Sequence, residues 1–412
     1  MANGGRKRIA VLFGGRSVEH EISIITGLQL IEAMDTVTLE PVPVYITTDG
    51  RWYTGDDLLR RDFYKGLPGC LSALKEVVLM PVPGKGGLSV ISDKKKGLMP
   101  EIFGAREPDL IPVDVYIPAF HGSYGEDGCV QGLFELADVA YVGCNVLSAS
   151  MGMNKYHCKM FLKSHDIPVL PAVLIDKEEM DPACGGSLKA VKERILATPG
   201  LESFPLFLKP ASLGSSIGLG KARNDGELDA AIIEAFKYDS ALIVEPCLEE
   251  KMEINISVME GDGPVPRASV VEIPVAEEGG ELTYEDKYIR GGGKKSGSLS
   301  QGMAGLTRII DPADLAPKYK DLARDYGVQI FKLLGCSGTA RIDLMLDLKK
   351  DQLYFNEINT LPGSMAYYLW AKSDPVMLYT DMISHIIGRA ELRCRTKRAL
   401  ERKIGFKALF KQ

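Results

Sequence analysis

The chain has 412 residues, 45% of them hydrophobic, enough for two to three domains with buried cores. Its formal net charge of −6 gives nucleic-acid binding no whole-chain electrostatic support. Eight cysteines without a Cys-x-x-Cys pair argue against a zinc ribbon and a disulfide framework, and suit a reducing cytoplasm. The polar start of the chain lacks the apolar core of a signal peptide, and no stretch reaches the ~20 apolar residues of a membrane span, so a soluble cytoplasmic protein is expected.

In chain order, 9–13 reads as a buried strand broken by Gly14-Gly15-Arg16-Ser17. Apolar residues at Ile22, Ile25, Leu28 and Ile31 then follow with helical period. Strands are expected over 42–46, 113–120 and 140–142, with a helix over 130–136, giving a wound α/β unit at 1–144. The glycine turn lacks the third glycine of a dinucleotide site, which leaves NAD binding weakly supported. A simpler role is to aim the next helix, with Glu19, His20 and Glu21, into a cleft. Residues 56–109, rich in Lys, Gly and Pro, read as an irregular insertion without assignable chemistry.

A smaller α/β unit is expected over 145–247, with a helix at 155–165 and strands at 206–209 and 241–245. A third unit over 248–390 has longer strands at 253–259, 268–275, 339–347 and 353–359, and a helix over 312–334. Residues 391–412 read as a basic, solvated terminal helix.

Two segments carry chemistry. In Phe207-Leu-Lys-Pro-Ala-Ser-Leu-Gly-Ser-Ser-Ile-Gly-Leu-Gly, glycines permit close backbone approach, and Lys209, Ser215 and Ser216 add charge and hydroxyls. This suits an anion nest for phosphates, and equally a plain hairpin, because neither a P-loop nor a Rossmann glycine pattern is present. In the second, alternation along a strand puts Arg341 with Asp343 and Glu357 with Asn359 on one face each. A short hairpin would bring all four together. Two carboxylates ~4 Å apart repel by roughly 4 kcal/mol at an effective dielectric of ~20, so they need compensation. Oxygen ligands including an amide suit Mg²⁺ or Mn²⁺, the alternative being an ion-pair network around Arg341.

The ordered series Gly14-Gly-Arg-Ser-Val-Glu-His-Glu-Ile-Ser23, His121-Gly-Ser-Tyr-Gly-Glu-Asp-Gly128, Met153-Asn-Lys155, Lys209-Pro-Ala-Ser-Leu-Gly-Ser-Ser216, Glu285-Asp-Lys-Tyr288, Arg341-Ile-Asp343 and Asn356-Glu-Ile-Asn-Thr-Leu-Pro-Gly363 resembles the D-alanine–D-alanine ligase family. The resemblance implies a three-domain ATP-grasp fold and an ATP-dependent ligase that joins two D-alanines through an acylphosphate for peptidoglycan precursor synthesis. It also implies a homodimer with small-molecule substrates, and no nucleic-acid or membrane partner. By the same resemblance, Glu21 would bind the first ammonium with His121 nearby, and a lid interaction would join Glu21, Ser215 and Tyr288. Lys155, Lys209, Ser216 and Lys287 would hold the ATP phosphates, while Glu245, Leu248 and Glu253 would line the adenine and ribose. Asp343, Glu357 and Asn359 would carry two Mg²⁺ ions, and Arg341 with the Gly363 N–H would form the oxyanion site. Tyr368-Leu369 stands where the family usually has Ser-Leu against the second substrate. That departure leaves D-serine, D-lactate or another amino acid open as acceptor. A ligase of secondary metabolism and a non-catalytic nucleotide-binding protein remain as alternatives.

Overall fold

The computed structural model describes residues 5–91, 109–214, 218–275 and 308–401. Three sheets follow one another along the chain. The first has eight strands in the order β6-β5-β4-β3-β2-β1-β7-β8. These are β1 (Lys7–Gly14), β2 (Leu39–Ile46), β3 (Trp52–Thr54), β4 (Lys75–Leu79), β5 (Leu88–Val90), β6 (Leu110–Ile111), β7 (Val115–Pro118) and β8 (Ala140–Tyr141). Strands β2, β1, β7 and β8 run parallel, and their hydrophobic runs fit a layer covered on both faces. Helix α1 (His20–Glu32) packs on this sheet, and α2 (Cys129–Ala137) connects β7 to β8.

Residues 56–109 are more regular than their composition suggests. Antiparallel β3, β4, β5 and β6 extend the sheet, with 3₁₀ turns between β3 and β4. Cross-strand pairing, not propensity, organises this segment; residues 92–108 lie outside the described set.

Helices α3 (Val146–Met153) and α4 (Lys155–Lys163) lead into the second sheet, in the order β11-β10-β12-β9. Its strands are β9 (Val173–Asp176), β10 (Leu206–Pro210), β11 (Gly220–Ala222) and β12 (Ala241–Pro246), covered by α5 (Leu188–Leu196) and α6 (Asp225–Ala235). Asn145 and Asn154 cap α3 and α4 by accepting from Ser148 N and His157 N.

The third sheet, β15-β14-β13-β16-β17, is antiparallel throughout. It comprises β13 (Lys251–Met259), β14 (Arg267–Pro274), β15 (Arg308–Ile310), β16 (Thr339–Asp347) and β17 (Gln352–Asn359). Helix α7 (Pro317–Leu333) covers one face and begins at its proline, whose missing N–H costs nothing in a first turn. Short α8 (Tyr367–Trp370) follows a turn in which Ser364, Met365 and Ala366 all have φ near +50°.

The last helix, α9, spans Tyr379–Arg398 and differs from the solvated tail expected from 391 onward. Its Met382, Ile383, Ile386, Ile387, Ala390 and Cys394 are buried in one core with Ile9, Val11 and Phe13 of β1. Basic residues that suggested solvation instead meet acidic partners: Arg398 reaches Asp138 at 3.0 Å, and Lys397 pairs with Glu135.

Candidate active site

The register of β16 and β17 sets one wall of a cleft. Asp343 lies opposite Glu357 and Arg341 opposite Asn359, so all four side chains emerge on one face. On its other side, Asp343 pairs with Asn255 of β13, which is paired with Glu272 of β14, completing a polar row across four strands. Arg341 grips Asp343 bidentately, Nε and Nη2 each donating at 2.7 Å. Burial opposes the guanidinium charge, but Asp343 outweighs it and raises the Arg341 pKa well above the usual arginine value. A register shift beyond Asp343 leaves Asn356 as an extra residue of β17, and its Oδ1 accepts from Lys209 Nζ at 2.8 Å.

Three lysines approach from the second sheet and α4. Lys155, in the first turn of α4, sits 3.4 Å from Glu357 and donates to the Leu213 carbonyl oxygen. Lys209, on β10, pairs with Glu245 of β12 at 2.9 Å. The other oxygen of Glu245 accepts from Lys159, one turn after Lys155 on α4 and wholly buried. Burial pushes Glu245 up, but the two ammonium groups win and hold it down at about 2. Burial likewise pulls Lys159 down, to about 8, against the pull of Glu245.

The opposite wall comes from the first sheet. Glu19, immediately before α1, is 4% exposed and lines the cleft together with His121, Glu126, Lys155, Gly214 and Arg341. A Cβ on Gly122 would lie 2.8 Å from Glu19 Oε2, and Gly122 has φ +76°; only glycine fits there. His121 Nε2 bonds Thr26 Oγ1 at 2.8 Å, and burial, with Arg341 nearby, lowers its pKa to about 4. Glu126 accepts from Gly122 N at 2.6 Å; burial, with Glu19 beside it, raises its pKa to about 8.

The expected site residues divide as follows. Lys155, His121, Arg341, Glu357, Asn359 and Gly363 line the cleft, with Asp343 held against it by Arg341. Glu21 does not line it: it is exposed in the first turn of α1, while Glu19 faces inward. The helix explains this, because Glu19, Ser23 and Thr26 recur at i, i+4 and i+7 on the buried face and Glu21 points away. Tyr368 and Leu369 are also absent from the cleft lining. Leu369 is fully buried, and Tyr368 donates to Glu272 at 3.1 Å beneath the Arg308 guanidinium. The Glu245 carboxylate is shared by two lysines, Lys159 and Lys209. Leu248 is half-buried just after β12, and Glu253 on β13 pairs with Lys251 at 3.2 Å. Ser215, Ser216, Lys287 and Tyr288 lie outside the described residues. The glycine-rich segment closes a hairpin, Leu208 of β10 pairing with Gly220 of β11, and its Gly214 reaches the cleft.

Family models described as D-ala D-ala ligase N-terminus and C-terminus match residues 8–144 and 161–388. The chain belongs to the D-alanine–D-alanine ligase family. A relative named D-alanine–D-alanine ligase from Heliobacterium modesticaldum is 32% identical over 96% of this chain and 98% of its own length. One of the same name from Bifidobacterium adolescentis is 35% identical over 93% and 98%. Among solved structures, the D-alanine-D-alanine ligase from Coxiella burnetii superposes with a TM-score of 0.72 at 25% identity, covering 95% of this chain and 96% of that one. The VanG D-Ala:D-Ser ligase from Enterococcus faecalis gives 0.71 at 27%, covering 94% and 100%.

As a member of the D-alanine–D-alanine ligase family, the chain has the ATP-grasp fold and is an ATP-dependent ligase. Among the described residues no helix is long and apolar enough to cross a membrane, and no group of three His, Cys, Asp or Glu is gathered for a metal. The donor set at the cleft is two carboxylates and an amide, Asp343, Glu357 and Asn359. Oxygen-only ligands opposed across one ladder fit a hard divalent cation. Sequence reasoning missed Asn356, Lys159 and the inward-facing role of Glu126. For Lys159 the signal was present, since i and i+4 place it on the same helix face as Lys155.

Proposed function

We propose that the protein joins two D-alanine molecules, with ATP hydrolysed to ADP and phosphate, at the cleft between the first and third sheets. The supporting observation is the β16–β17 register, which sets Arg341, Asp343, Glu357 and Asn359 together facing Glu19 and His121. Glu19 holds the ammonium of the first D-alanine, the role expected for Glu21, and neutral His121 stands beside it. Lys155 and Lys209 grip the ATP phosphates, with Ser216 as a further phosphate contact and Ser215 in the catalytic set. Leu248 and Glu253 flank the adenine and ribose, and Lys287 and Tyr288 belong to the lid.

The γ-phosphoryl group passes to the first substrate's carboxylate, and ADP leaves. The amine of the second D-alanine, having lost a proton, attacks the acyl carbon. The tetrahedral oxyanion forms against Arg341 and the Gly363 N–H, then collapses to the peptide as inorganic phosphate departs. Asp343, Glu357 and Asn359 would hold two Mg²⁺ ions, Mn²⁺ substituting, whose chemistry is to neutralise phosphate charge. Arg341 and Lys155 pair with these carboxylates at the cleft.

The same reading places a homodimer in the cytoplasm, supplying peptidoglycan precursors and binding no nucleic acid, with functional units at 1–144, 145–247 and 248–390. The buried Tyr368 leaves D-serine as a competing acceptor, the substrate in the name of the Enterococcus relative. Purified protein is incubated with ATP, Mg²⁺ and an equimolar mixture of D-alanine, D-serine and D-lactate, and products are weighed by mass spectrometry. D-alanyl-D-alanine is expected to dominate. A dominant mixed product would reassign the acceptor, and phosphate release with L-amino acids alone would defeat the reading.

A further inference from the structure

The first and third units meet backbone to backbone at two glycines. Gly143 follows β8 and Gly338 precedes β16; a Cβ on Gly338 would lie 2.8 Å from Gly143 N and Cα. Arg393 of α9 clamps this contact. It donates to the Tyr141 carbonyl oxygen at 3.1 Å and pairs with Glu260, which accepts from Gly338 N at 2.6 Å. Each glycine has a cysteine close by, Cys144 and Cys336. Cys144 Sγ donates to the Ser337 carbonyl oxygen at 3.6 Å, and the Cys336 thiol hydrogen-bonds Cys144 Sγ. All eight cysteines are free in this structure.

We propose that Cys144 and Cys336 are a redox modification site: hydrogen peroxide, a two-electron oxidant, converts the pair to a disulfide that fastens the first unit to the third. Cys144 is buried and Cys336 half-buried. Their neighbours Asn145 and Ser337 line a cavity of about 150 Å³, ample for a molecule little larger than water. Cys336 lowers the Cys144 pKa against the opposing effect of burial, which favours Cys144 as the attacking thiolate. Cys144 gives up its proton and its Sγ attacks one peroxide oxygen. The O–O bond breaks, and the departing hydroxide takes up that proton as water. Cys336 Sγ then attacks the sulfenic sulfur of Cys144. The S–O bond breaks, and the second hydroxide leaves with the Cys336 proton as water. Two thiols are thereby oxidised by two electrons and one peroxide is reduced to two waters. A dithiol reductant reverses the change by exchange. The two positions are far apart in sequence, so the link strongly restrains the unfolded chain.

Full-length protein is treated with a modest excess of hydrogen peroxide, free thiols are alkylated, and non-reducing peptide mapping locates the links. A Cys144–Cys336 peptide that disappears with dithiothreitol is expected, with a melting temperature raised by about 3 °C or more. Cys144→Ser and Cys336→Ser should each lose both responses, while Cys184→Ser, at an exposed thiol, keeps them. Cys158, buried on α4, also lies near Cys336. A dominant Cys158–Cys336 link, or no link at all, overturns the inference, as does a Cys144–Cys336-linked protein that melts no higher. Mapping the wild-type chain needs no variant, so a serine variant that fails to fold leaves the answer intact. Turnover of ATP plays no part in these readouts, which separates their result from the ligase reading.

Discussion

Asp343 and Glu357 face each other across one ladder, yet each already has a cation, Arg341 at 2.7 Å for the first and Lys155 at 3.4 Å for the second. The compensation that two close carboxylates require is therefore built into the protein. Replacing Arg341 removes that compensation together with an oxyanion donor. Arg341→Met is expected to lower kcat by about 10²–10³-fold, as loss of one such donor does elsewhere. ATP affinity, which depends on the lysines, should stay within a few fold. Full turnover in a folded Arg341→Met protein would remove this residue from the chemistry.

The positions of Glu19 and Glu21 make opposite predictions for two neighbouring substitutions. Glu19→Gln removes an inward charge worth about 1.5–3 kcal/mol as a charge-assisted hydrogen bond. The kcat/KM for D-alanine should fall about ten- to a hundredfold. Glu21→Gln, on the solvated side of α1, should change it by less than twofold. Steady-state kinetics on both variants decide the matter, and the reverse ranking would return Glu21 to the site.

His121 should titrate abnormally low. Burial and Arg341 depress its folded pKa to about 4 from 6.5, so the neutral ring is the native form. The unfolded chain takes up a proton first as pH falls, and this residue's contribution to stability is intact above 6.5 and lost progressively toward 4. An imidazole signal of neutral character down to pH 5 by NMR is expected. A midpoint near 6.5 would mean that water and charge reach the ring.

Leu369 and Tyr368 should behave as core residues. Leu369→Ala is expected to cost about 2–5 kcal/mol of stability by opening a cavity, measured by denaturant unfolding. Tyr368→Phe removes the bond to Glu272, worth about 1 kcal/mol, while Arg308 and Asn255 still satisfy that carboxylate. Neither change should raise the KM of the second substrate selectively.

The third sheet was legible because its chemistry rides on strand alternation: Arg341 and Asp343, Glu357 and Asn359 needed only period two and a short turn to be brought together. Glu19 was harder, because a motif gives the order of residues but not where the helix starts, and the start at His20 decides which glutamate turns inward. Tyr368 and Leu369 were carried over by position, and position carries no information about burial. Lys159 was passed over although it shares a helix face with Lys155, since its partner Glu245 lies 86 residues away. The end of α9 failed for the same reason: its apolar face has meaning only against β1, at the far end of the chain.

That last pairing shapes how the protein comes into being. Among the described elements the earliest strand, β1, shares its core with the latest helix, α9, so that layer cannot be sealed before residues 379–398 have been made. Until then, Ile9, Val11 and Phe13 wait for Ile383 and Ile386. A nascent chain halted before residue 379 should therefore present an unfinished apolar surface to chaperones, even with every cleft residue already translated.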